Sequence, residues 1–357
     1  MQYGKFGNVV PELAACSRRA AAEGAVLLKN EDNVLPFLDG EYISVFGRIQ
    51  FDFYRSGTGS GGAVNAPYTK NLVDGFREIP GLCINEELVS VYEAWREEHP
   101  ADDGGGVWAG EPWNQEDMPL TGEIVRAARE KSEKAIYVIG RTAGEDKDNT
   151  PEEGGYCLTA QEKENLKLIT DCFEKTVVLL NVANIIDMSW VEDEAYHGRI
   201  KAVLYCWQGG QVGGLAAADV LSGNVTPSGK LIDTIARSIE DYPSSSNFGG
   251  REENIYQEDI YVGYRYFETF CPEKVLYPFG FGLSYTEFSL KPLGGSCIME
   301  NGQKCIRVQV QVENIGMRPG KETVQLYVSA PQGALGKPAL ELKAFQKTRL
   351  LQPGETA

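Results

Sequence analysis

The groups best suited to chemistry lie in one stretch, Gly140-Arg-Thr-Ala-Gly-Glu-Asp-Lys-Asp-Asn-Thr-Pro-Glu-Glu-Gly-Gly155. Glu145 follows a glycine just past an apolar run, so its carboxyl projects from a loop at the end of a strand. Such a carboxyl serves as a general acid where burial raises its pKa. Asp146 and Asp148 also begin the stretch like a calcium loop. However, Pro151 stands where the sixth position needs glycine, and Cys157 where the twelfth needs glutamate. A purely solvated acidic loop is the competing reading. A second stretch, Ser56-Gly-Thr-Gly-Ser-Gly-Gly62, places Gly57, Gly59 and Gly62 in the pattern of a dinucleotide fingerprint, with Glu86 or Glu87 as the ribose acid. There the first glycine should follow its strand at once and open a helix. Here Phe51, Phe53, Tyr54 and Arg55 separate the strand from the glycines, and Pro67 precedes the helix. A loop edged by aromatic rings and an arginine suits a sugar or another polar ligand better, because an aromatic face stacks on the apolar face of a sugar. The two histidines, His99 beside Pro100 and His197 before Gly198, read as surface residues and not as members of a nucleophilic triad.

The elements that must position these groups alternate along the chain. Helical spacing of Leu13, Ala14, Cys16, Ala20, Ala21, Ala25 and Val26 predicts a helix over residues 12–29. Short apolar runs at 43–46, 82–84, 135–139, 177–181 and 202–205 read as strands. Residues 70–79, 86–97, 122–131, 160–172 and 212–221 read as helices, the fourth with Thr159 as N-cap and Glu162 completing a capping box. A glycine-, acid- and tryptophan-rich insertion covers 102–118. Continuous apolar strands alternating with helices imply an α/β fold, a mostly parallel sheet with helices on both faces. Ligands in such sheets sit beyond the carboxyl ends of the strands, so the loops after Phe46, Ile139, Asn181 and Tyr205 are where chemistry belongs. Near residue 290 the period changes to strict alternation, in Ile306-Arg-Val-Gln-Val-Gln-Val312 and then Thr323-Val-Gln-Leu-Tyr-Val328, the signature of an antiparallel β-sandwich. A full sandwich takes about 100 residues, so the expectation is a truncated all-β domain.

Composition narrows the function. The chain has 357 residues and a formal net charge of −17, a length that points to two domains. That charge repels phosphate backbones and anionic lipid heads, which argues against nucleic-acid or membrane-surface partners. No long uncharged apolar run and no apolar leader are present, and eight cysteines occur without a Cys-x-x-Cys pair. The resulting expectation is a cytoplasmic protein with reduced, mostly buried thiols and no metal site.

Several motifs carry a family resemblance. Ala22-Glu-Gly-Ala-Val-Leu-Leu-Lys-Asn-Glu31 with Leu35-Pro36, the Glu145 stretch, Pro227-Ser-Gly-Lys-Leu231, Tyr261-Val-Gly-Tyr-Arg-Tyr-Phe267 and Tyr277-Pro-Phe-Gly-Phe-Gly-Leu-Ser-Tyr285 resemble the α/β-sandwich domain of glycoside hydrolase family 3. Asn314-Ile-Gly, Glu322-Thr-Val-Gln-Leu-Tyr327, Leu342-Lys-Ala-Phe345 and Pro353-Gly-Glu355 resemble its fibronectin type III-like domain. The resemblance divides the chain into a lead-in (1–40), an α/β-sandwich domain (41–289) and a partial fibronectin type III-like domain (290–357). It implies a retaining β-glycosidase, β-glucosidase-like, that needs no cofactor and acts on a β-linked glucoside or oligosaccharide. In the family the nucleophile is an Asp on a (β/α)8 barrel, and the acid/base is a Glu from the α/β sandwich. By motif that Glu is Glu145, with Asp148 at the neighbouring family Asp. Asp146 and Asn149 depart from the usual Gly and Arg, and both changes are expected to raise the Glu145 pKa. Phe53, Tyr54 and Arg55 fall roughly where the family lines its outer sugar subsite. No barrel pattern fits this chain, so the resemblance implies the leading part of a reversed-order member, inactive alone and completed by a barrel domain. A non-catalytic carbohydrate-binding or interaction module of the same fold is the alternative, and a homo-oligomer is compatible with either.

Overall fold

The computed structural model describes residues 10–357 apart from Ala63, Asn65, Asp146 and Arg251. The chain opens with helix α1 (Pro11–Gly24) and strand β1 (Val26–Asn30). The helix is therefore shorter than the expected 12–29. Ala25 is already extended, with φ −61° and ψ 137°, and Val26, Leu27 and Leu28 are buried as a strand. A continuous apolar run next to Gly24 fits a strand covered on both faces, and helical periodicity alone cannot separate the two. The lead-in thus contributes a strand to the main sheet.

Strands β2 (Glu41–Phe46) and β3 (Leu82–Ile84) follow, with helices α2 (Leu72–Glu78) between them and α3 (Glu86–Glu98) after them. Helix α4 (Gly122–Lys131) leads to β4 (Lys134–Arg141), α5 (Ala160–Cys172) to β5 (Lys175–Val182), and β6 (Ile200–Tyr205) precedes α6 (Gly213–Ser222). The six strands form one sheet in the order β1-β6-β5-β4-β2-β3. All neighbours are parallel except the β1–β6 pair. Alternate side chains of β4 and β5 feed two cores. Tyr137, Ile139, Val178 and Leu180 pack with α3, α4 and α5 on one face. Ile136, Val138, Val177 and Leu179 pack with α1, α2 and α6 on the other. Burial on both faces explains why these strands read as unbroken apolar runs.

Beyond the sheet, short strands β7 (Ile235–Ala236) and β8 (Val275–Tyr277) pair across helix α7 (Tyr264–Phe270). The β-rich region follows as two antiparallel pairs. Strand β9 (Phe288–Glu300) pairs with β10 (Gln303–Asn314), and β11 (Thr323–Val328) with β12 (Glu341–Lys347). This region is tied to the end of α1, where Glu23 takes an ion pair from Lys321 at 2.6 Å and one from Lys347 at 3.6 Å. Among the described residues no helix is long and apolar enough to cross a membrane. Of the eight free cysteines only Cys206 and Cys271 are buried, so the expectation of mostly buried thiols fails. The others sit on helix faces, in a loop, in the edge strand β3 and in the β9–β10 hairpin.

Candidate active site

Because β2 and β4 are adjacent and parallel, the loops that leave their carboxyl ends emerge side by side. They join directly: Thr58 N–H donates to the Ala143 carbonyl at 2.7 Å, and Thr58 bridges Gly144 in parallel register. Glycine is required on both sides of this seam. A Cβ on Gly57 would collide with the Ala143 carbonyl oxygen, and one on Gly144 with the backbone and hydroxyl of Thr58. Gly59 adopts φ +77°, and its Cβ would lie 2.6 Å from the Glu145 Cβ. The glycines thus clear a close approach between two loops. No helix starts at them, since α2 begins only at Leu72, capped by Asn71. The dinucleotide fingerprint is therefore formal. Glu86 and Glu87, its candidate ribose acids, pair with Arg77 and Lys131.

Glu145 sits on the outer side of the seam, exposed. Its Oε2 accepts from the Ser60 hydroxyl at 2.6 Å and from the Ser60 backbone N–H at 3.1 Å. These hydrogen bonds hold its carboxyl below the ordinary value, while desolvation acts weakly in the other direction. The expectation of a raised pKa is corrected for this chain, because no described residue covers the carboxyl and Ser60 stabilises its ionised form. Asp146, on which part of that expectation rested, lies outside the described residues. Asp148 is exposed, and among the described residues no side chain pairs with it.

Phe53, Tyr54 and Arg55 do come together. They line a cavity of about 330 Å³, whose other walls include Glu111 and Gln115 from the insertion and Thr142 from the Glu145 loop. The Phe53 ring lies against Gly213 at the start of α6. Arg55 donates to the Val64 carbonyl at 2.8 Å. The Tyr54 hydroxyl is buried, and burial pushes its pKa well above the usual tyrosine value. Neither Glu145 nor Asp148 lines this cavity.

Three features that sequence reasoning missed hold the rim in place. Asn181, at the end of β5, accepts from Tyr54 N–H at 2.6 Å and donates to the carbonyls of Tyr54 at 3.0 Å and Trp207 at 2.6 Å. A polar residue closing the apolar run 177–181 was its only sequence signal. The insertion 102–118 wraps the Glu145 loop: Thr142 N–H donates to the Trp113 carbonyl at 2.8 Å, and the Lys147 ammonium stands 5.7 Å over the Trp113 ring. Asp117 anchors the insertion by accepting from Arg48 N–H at 2.9 Å and the Tyr137 hydroxyl at 2.8 Å. Across the same loop, Arg141 at the end of β4 makes a two-pronged pair with Glu162 in the first turn of α5, 2.6 Å on each prong. Glu162 also closes the capping box with Thr159, as the sequence predicts. Of the histidines, His197 is exposed, while His99 is half-buried and stacked 4.5 Å from Trp95.

This combination of a mostly parallel sheet, an exposed glutamate at its carboxyl rim and a following antiparallel β region is that of a known hydrolase family. The model of the glycosyl hydrolase family 3 C-terminal domain matches residues 25–285, and that of a fibronectin type III-like domain matches 322–357. The chain belongs to glycosyl hydrolase family 3. It is 49% identical over 334 residues to a beta-glucosidase of Ruminococcus albus, covering 94% of this chain and 34% of that protein. To beta-glucosidase A of Butyrivibrio fibrisolvens it is 41% identical over 377 residues, covering 95% and 44%. Among solved structures, a beta-glucosidase from Paenibacillus barengoltzii superposes with a TM-score of 0.96 at 59% identity, over 99% of this chain and 38% of that one. Beta-glucosidase 3B from Thermotoga neapolitana in complex with glucose gives 0.86 at 36% identity, over 97% and 48%. The chain thus spans about a third to a half of the length of these relatives.

Proposed function

We propose that this chain is the acid/base-bearing part of a retaining β-glycosidase acting on β-linked glucosides or oligosaccharides. Glu145 protonates the leaving oxygen in the first step and deprotonates water in the second. The nucleophile is an aspartate of a (β/α)8 barrel in the rest of the complete enzyme, about 5–5.5 Å from the Glu145 carboxyl as retention requires. The observation that carries this reading is the seam itself: two neighbouring loops, brought close at Gly57, Gly59 and Gly144, present one carboxylate outward at the carboxyl rim of the sheet. A docked barrel removes water from that carboxylate and raises its pKa toward the range of a general acid. Phe53, Tyr54, Arg55 and Asp148 border the outer part of the sugar site. Without the barrel the chain turns over no glycoside. All eight cysteines are free thiols, which suits work in the reducing cytoplasm.

The test is Glu145→Gln in the complete enzyme. Turnover of glucosides with poor leaving groups should fall by about 10²–10⁴-fold, the usual contribution of general acid catalysis. Activated aryl glucosides, whose leaving groups need little protonation, should lose far less in the first step. Equal losses on both substrates would overturn the assignment.

A further inference from the structure

The structure assigns a positioning residue to the proposed acid/base: Ser60 aims the Glu145 carboxyl and accompanies it through both of its protonation states. This rests on the reading of Glu145 given above. Both donors of Ser60 meet the same oxygen, the hydroxyl at 2.6 Å and the backbone N–H at 3.1 Å from Oε2. Among the described residues no hydrogen bond reaches Oε1, which leaves it for a substrate oxygen. The two donors differ in kind. A backbone N–H can only donate, so it always favours the carboxylate. A serine hydroxyl rotates: it donates to a carboxylate and accepts from a protonated carboxyl. A residue that must be acid in one step and base in the next needs a partner of that kind.

The position of Ser60 is fixed by the fold. Gly59, at φ +77°, turns the Ser60 amide toward Glu145 through a space in which a Cβ would meet the Glu145 Cβ at 2.6 Å. The Thr58–Gly144 bridge locks the two loops just before the contact, two residues ahead of Ser60 and one ahead of Glu145. No formal charge comes with Ser60, since residues 56–62 contain no ionisable side chain. On Glu145's own loop, the Lys147 ammonium is directed to the Trp113 ring, and Asp148 is exposed. Arg55 is engaged by the Val64 carbonyl, and Glu111 of the insertion lines the cavity with it. Among the described residues Ser60 is therefore the group that hydrogen-bonds the carboxyl, and the lowered Glu145 pKa has these bonds as its leading causes.

The experiment is the pH profile of kcat/KM for the complete enzyme carrying Ser60→Ala or Ser60→Thr, with Glu145→Gln in parallel. In Ser60→Ala the alkaline limb, which reports the free acid, should move up by about half to one pH unit as the hydroxyl donor is lost. Its kcat on poor leaving groups should drop roughly tenfold with KM little changed. Ser60→Thr, which keeps the hydroxyl, should restore both. A wild-type limb and wild-type kcat in Ser60→Ala, while Glu145→Gln abolishes the limb, overturns the role of Ser60 and leaves Glu145 as the acid. A limb that survives in Glu145→Gln overturns both.

Discussion

The loop that follows β4 has two ends, each holding a glutamate, and the two have opposite surroundings. At the far end Glu162 is buried, gripped by both prongs of the Arg141 guanidinium and by the first turn of α5. Arg141 also binds the carbonyls of Gly155 at 3.0 Å and Gly140 at 2.8 Å. At the near end Glu145 is exposed and touches a neutral serine. At the far end both carboxylate oxygens are gripped by a buried guanidinium. At the near end the described hydrogen bonds reach only one oxygen of a surface carboxylate. The same side chain is buried in an ion pair at one end and exposed on a hydroxyl at the other, and the difference lies in what faces it.

This contrast can be broken most forcefully at the far end. Arg141→Ala leaves an uncompensated buried carboxylate and should lower the unfolding free energy by about 3–5 kcal/mol in urea titrations; a loss under about 1 kcal/mol would mean the pair does not hold the loop. Next comes the seam. Gly57→Ala must displace the Ala143 carbonyl and should cost about 1–3 kcal/mol, the usual range for overpacking, together with the Ser60-dependent behaviour of Glu145. Stability loss with an unaltered pH profile would separate the seam from the chemistry. Thr159→Ala removes the N-cap beside Glu162 and should cost about 1 kcal/mol by the same unfolding measurement. At the bottom of the scale, Glu145→Gln should leave the denaturation midpoint where it is while removing acid/base function, which sharpens the distinction between the two glutamates.

Much of this arrangement was legible in the sequence. The parallel strands could be read because burial on both faces makes them apolar throughout, and Thr159 with Glu162 could be read because a capping box is local. Glu145 could be placed at a strand end from Gly144 alone. Other parts were hidden for definite reasons. Val26–Asn30 looked like a continuing helix because the apolar run that makes a covered strand has no period of its own. Arg141, just past the predicted strand 135–139, gave no sign that its partner lay 21 residues on. The glycines at 57, 59 and 62 suggested a phosphate cradle because glycine marks close approach without saying to what. Only the fold supplies the other surface, which is the Glu145 loop for Gly57 and Gly59 and the backbone of Gly57 for Gly62. The Glu145 pKa was expected to move the wrong way because charge content in sequence was weighed without the neutral donors that geometry brings in.

Asn181 reaches three places at once, the backbone of Tyr54 after β2, the carbonyl of Trp207 after β6, and its own strand between them in chain order. One carboxamide therefore couples the thermal fluctuations of segments that are more than a hundred residues apart, because none of them can swing outward without breaking a bond to the same side chain. The rim around the Phe53–Arg55 cavity is thus tied across three strand ends by one amide, beside the braces that the insertion and Arg141 supply.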